Sequence, residues 1–103
     1  MLRRRFAELI ARQLDLFEED NAALIADCAA AERAYDAAPR DEAEERYGDY
    51  LDLVESGTEI LAGMRDHYAR ASLEEDASAA YEQAFNRAAA KRFPRFALEL
   101  EDT

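Results

Sequence analysis

Apolar residues recur along this chain at intervals of three and four. From Phe6 the seam runs through Ile10, Phe17, Leu24, Cys28, Ala31 and Tyr35, the spacing of one face of an α-helix. Gln13 and Asp20 interrupt it. The pattern predicts a first helix over about residues 2–37, with Asp20-Asn21 as the place for a kink or break. Pro39 closes it, because the residue before a proline is pushed out of helical space.

Asp41, with Glu44 three residues on, reads as the cap of a second helix over about residues 42–70. One face carries Tyr47, Tyr50, Val54, Gly57, Leu61, Met64 and Tyr68, flanked by Leu53 and Ile60. The opposite face is an acidic stripe of Glu42, Glu45, Asp49, Asp52, Glu59 and Asp66. Ser56 through Glu59 resembles a capping box, so a bend is expected there. Ser72-Leu73-Glu74-Glu75 predicts a third helix over about residues 73–92, closed before Pro94 and burying Leu73, Ala77, Tyr81, Ala84, Phe85 and Ala88. Residues 93–103 remain as a tail.

The expected fold is therefore a single all-α domain of residues 1–103. It is an antiparallel hairpin of two long helices plus a shorter third, a three-helix bundle open to completion by dimerisation. At the α-helical rise the three are roughly 54, 45 and 30 Å long, so the third cannot cover the whole hairpin. Counting back from the turns pairs Leu24 with Val54, Phe17 with Leu61, Ile10 with Tyr68, Met64 with Tyr81, and Gly57 with Ala88. The first and third helices then run parallel, which brings Arg3-Arg4-Arg5 beside Glu74-Glu75-Asp76 as an ion-paired cluster. The uncovered half of the hairpin presents Leu24, Cys28, Tyr35, Tyr47, Tyr50 and Leu51, an apolar patch that needs a cover. The expected cover is a second copy in a symmetric dimer, with the tail from Phe93 through Phe96 to Leu100 taking part.

Composition narrows the class. The chain has 103 residues, 50% apolar and 36% charged, with Lys91 its only lysine and a net charge of −11. Like charge repels nucleic acid and anionic membrane, so neither is an expected partner, and a protein with a basic surface is. No apolar run approaches the ~18 residues of a transmembrane helix. Glu8, Arg12 and Asp15 break up the segment after the basic start, so no signal peptide is expected. The single cysteine, Cys28, allows no intrachain disulfide and fits a cytoplasmic location.

Candidate chemistry is sparse. A carboxylate-bridged metal bundle needs Glu-x-x-His, and the only histidine, His67, is preceded at that spacing by Met64. Carboxylates on one outer stripe diverge, whereas a hard cation wants converging oxygens. Cys28 and His67 fall far apart along the helices, so a nucleophile–base pair is not expected. Lys91, Arg92 and Arg95, interleaved with Phe93 and Phe96, are read as charges complementing a helix C-terminus plus a docked tail. Glu44-Glu45-Arg46-Tyr47-Gly48-Asp49 resembles the acidic helix motif of all-α nucleotide pyrophosphohydrolases. In that family a Glu-Glu-x-x-Glu helix and a Glu-x-x-Asp helix hold magnesium with four carboxylates. Here Glu45 and Asp49 are one residue too far apart, and Glu18-Glu19-Asp20-Asn21-Ala22 lacks the final acid. The resemblance implies a magnesium-dependent hydrolase as the alternative function. The leading expectation is a non-enzymatic protein–protein interaction or assembly module, a homodimer or the partner of another protein, with no catalytic residue, cofactor or metal. Its candidate surface is Tyr35, Tyr47, Tyr50, Leu51, Phe93 and Phe96 with the acids Glu45, Asp49 and Asp52.

Overall fold

The computed structural model describes residues 5–96. All regular structure among them is helical: α1 (Ala7–Asp20), α2 (Ala22–Asp36), a 3₁₀ turn (Arg40–Glu42), α3 (Ala43–Ser72), α4 (Glu75–Arg92) and a second 3₁₀ turn (Pro94–Phe96). No helix among the described residues is long and apolar enough to cross a membrane.

The expected first helix is two helices. At Asn21 the backbone leaves helical space, with φ −121° and ψ 28°. The Asn21 backbone N–H and side-chain Nδ2 both donate to the Phe17 carbonyl at 3.0 Å. A side-chain amide that shares a backbone acceptor bends a helix. The Ile25 N–H still donates to the Asn21 carbonyl at 3.0 Å, so the direction changes without stranding a donor.

The second helix starts one residue later than expected, after the 3₁₀ turn. Glu42 is its N-cap position and makes no side-chain capping bond, so Asp41 is not the cap. The bend expected near Ser56 is absent: α3 runs unbroken, and Ser56 Oγ and Thr58 Oγ1 donate back to the carbonyls of Asp52 and Val54 at 3.2 and 3.0 Å. Nor does Ser72 open the next helix. It ends α3, Leu73 and Glu74 form an extended link, and α4 begins at Glu75.

That link sets the register. Tyr81 packs on Tyr68, ring centroids 5.0 Å apart, rather than on Met64, and Asn86 Oδ1 accepts from Arg65 Nη1 at 2.8 Å. The first pair lies about one turn beyond the expected pairing and the second nearly two. Gly57 consequently falls opposite the chain just past α4, and its neighbour is Phe96 instead of Ala88. A Cβ added at Gly57 would overlap the Phe96 ring, with Cδ1 and Cζ at 2.7 Å. Only glycine leaves room for that ring. Phe17 likewise meets Phe93 and Phe96 edge-on, at 5.2 and 5.8 Å.

The molecule is a rod of 51 × 27 × 22 Å. The most extensive helix packing is α2 against α3, and α4 packs against both α3 and α1. Phe6, just before α1, meets Tyr81 of α4 at 5.4 Å, while Arg92 bonds Asp15 and Glu18 at 2.7 and 2.6 Å, so α1 and α4 run parallel. Arg5 shares a shallow cleft with Glu74 and Asp76. Among the described residues no ion pair forms there; the α1–α4 pairs are at the Arg92 end. Arg3, Arg4 and the tail from 97 onward lie outside the described residues. The core is Phe6, Ile10, Leu14, Phe17, Cys28, Leu61, Ala69, Tyr81, Phe85, Ala89 and Phe96. Each large apolar member is worth about 1.5–3 kcal/mol in surface removed from water.

Candidate interaction surface

The tyrosines predicted for the surface do assemble. Tyr35 near the end of α2 and Tyr47 in the first turns of α3 lie with ring centroids 5.1 Å apart, and Tyr50 continues the row at 6.4 Å. Tyr35 is 38% exposed, Tyr47 44% and Leu51 43%. Two antiparallel helices joined by a short turn bury only the faces they share. Among the described residues no third helix lies along this half of α3, and Tyr35 and Tyr47 are exposed.

Tyr50 is half-buried and tied down. Arg95 Nε donates to its hydroxyl at 3.2 Å, and the guanidinium sits 5.8 Å from its ring centroid. Arg95 Nη2 reaches across to Glu32 Oε1 at 2.5 Å, so one cation links the chain after α4 to α2 and α3. Its pKa is raised, chiefly by the bond to Tyr50. Phe93 and Phe96, predicted for the same surface, point inward: Phe96 is 1% exposed and Phe93 packs on Phe17. They belong to the core around Phe17 and Gly57 and do not join the exposed row.

The acids stand apart from the tyrosines. Glu45, Asp49 and Asp52 are all exposed. At 100° per residue they lie on the far side of α3 from Tyr47. Arg46 offsets part of this charge, 3.6 Å from Glu42 and 3.8 Å from Asp49. Among the described residues no group of three or more His, Cys, Asp or Glu side chains is placed to hold a metal ion. Cys28 is fully buried, and that burial pushes its thiol pKa up, against a partial opposing pull from Arg95. A buried, protonated thiol is a poor nucleophile.

One concave feature has no counterpart in the sequence expectations. A groove of about 760 Å³ runs between α1 and α4. Ile10 and Leu14 are its buried members, Ala11, Ala84 and Ala88 line it, and Arg87, Lys91 and Arg92 carry its charge. Its sequence signal is the recurrence of alanine at 80, 84 and 88, facing Ala7 and Ala11. Alanine is so common here that this spacing reads as helix propensity alone. No protein-family model, curated protein or solved structure matches this chain.

Proposed function

We propose that this chain is a non-enzymatic interaction or assembly module of the cytoplasm, acting as a homodimer or bound to another protein. The observation that carries the reading is the row Tyr35–Tyr47–Tyr50, in which Tyr35 and Tyr47 are exposed beside Leu51. Tyrosines offer large contact area at low cost in side-chain entropy, which suits a binding surface. Behind them, the stripe of Glu45, Asp49 and Asp52 and the net charge of −11 favour a partner with a basic surface.

The test compares wild type with the Tyr35→Ser/Tyr47→Ser double variant in affinity capture, with circular dichroism as the check on folding. A bound protein retained by wild type and lost by the folded variant supports the surface. Equal retention by both, or a strict monomer that retains nothing, overturns it.

A further inference from the structure

The groove between α1 and α4 points to a specific occupant. On the exposed side of α4, Asp76, Ala80, Gln83, Ala84, Arg87 and Lys91 recur at the three- and four-residue steps of one helix face. The stripe is acidic at its start, small in the middle and basic at its end. Neither Arg87 nor Lys91 forms an ion pair among the described residues, and Asp76 accepts only the Ala77 N–H, at 3.1 Å. A stripe with opposite charges at its two ends complements its own reverse. Turned about the point between Gln83 and Ala84, Asp76 of one copy faces Lys91 of the other, and Ala80 faces Arg87.

We infer that the groove seats α4 of a second copy of this chain, antiparallel, in a two-fold symmetric dimer. The alanines permit close approach, toward the lower limit of helix spacing near ~8 Å. The charges select the antiparallel arrangement, because a parallel one sets Asp76 on Asp76 and Lys91 on Lys91. Self-association of so acidic a chain must also keep its acidic regions apart. Since α4 ends beside Gly57, the acidic first half of α3 projects beyond it, and antiparallel pairing sends the two projections in opposite directions. This inference rests on the reading of the chain as an interaction module, and it leaves both tyrosine rows free for another protein.

Sedimentation equilibrium of the full chain provides the test. Wild type is expected to dimerise. Asp76→Lys and Lys91→Glu should each weaken the dimer by about tenfold, while the two together in one chain restore it to within about threefold of wild type. Ala84→Arg, at the two-fold axis, should yield a monomer with an unchanged helical spectrum. A monomeric wild type overturns the inference, as does a double variant no better than the singles. If Tyr47→Ala breaks the dimer and Ala84→Arg does not, the copies meet through the tyrosine row. That result overturns this contact and spares the module reading.

Discussion

Tyr81 and Tyr47 both belong to the apolar face of a helix, yet Tyr81 is fully buried and Tyr47 is 44% exposed. The difference lies in what surrounds them. Tyr81 sits where α1, α3 and α4 converge, ringed by Phe6, Tyr68 and Phe85 at 5.4, 5.0 and 5.9 Å, and its hydroxyl donates to Gln13 Oε1 at 2.8 Å. Among the described residues Tyr47 sits where α2 and α3 alone meet, with other tyrosines for neighbours. Three helices enclose a side chain; two leave one of its sides to solvent. The boundary between the two regimes is Phe96, seated on Gly57.

Truncating the two regions should separate them most widely. Tyr81→Ala or Phe96→Ala removes a buried ring and should cost about 3–5 kcal/mol, enough to unfold much of the population. Tyr47→Ala should cost under about 1 kcal/mol. Urea denaturation reads both, and comparable losses would erase the distinction between the halves.

Alkali should attack the enclosed half through one group. Burial pushes the Tyr81 phenol up to about 12 from its ordinary 10.0. The folded chain therefore holds this proton after the unfolded chain has released it. The stabilisation is complete below pH 10 and is lost as pH rises toward 12, about 2–3 kcal/mol across that window. Tyr81→Phe should remove that share of the pH dependence, together with the last-titrating component of the tyrosinate absorbance. A titration unchanged by the substitution would place the late proton elsewhere.

Glycine substitutions sharpen the boundary itself. Gly57→Ala drives a Cβ into a buried ring and should cost about 1–3 kcal/mol. Gly63→Ala, where nothing lies within 4 Å of the added carbon, should gain about 0.5–1 kcal/mol from helix propensity. Thermal melts of the two variants should move in opposite directions.

The helical class was legible because apolar periodicity and alanine-rich composition agree across the chain. The details that failed turn on geometry that periodicity does not carry. Polar residues at positions 20 and 21 mark a weak point, but whether the helix breaks depends on an amide reaching the Phe17 carbonyl. Ser72 has the side chain of a cap and serves as a helix end, because the link of Leu73 and Glu74 takes up the reversal. That two-residue delay moves the register by a turn and hands Gly57 to Phe96. At the candidate surface the tyrosines could be found, since period and the shortness of the last helix left them uncovered. Phe93 and Phe96 carry the same apolar signal, and only the path of the chain after Arg92 turns them inward. The groove was invisible because alanine suits any helical position equally well.

The parallel contact of α1 with α4 also bears on the order in which the molecule assembles. The α2–α3 hairpin closes over the few residues from 37 to 42, a short loop with a small entropic cost. The Tyr81–Gln13 and Arg92–Glu18 bonds instead join residues 68 and 74 positions apart, so they close a loop of most of the chain. Contacts at such separation form slowly. The α2–α3 and α3–α4 turns should therefore close early, and the contact of α1 with α4 should form late. Amide hydrogens of α1 should exchange ahead of those in the middle of α3, opening and resealing the groove within an otherwise folded chain.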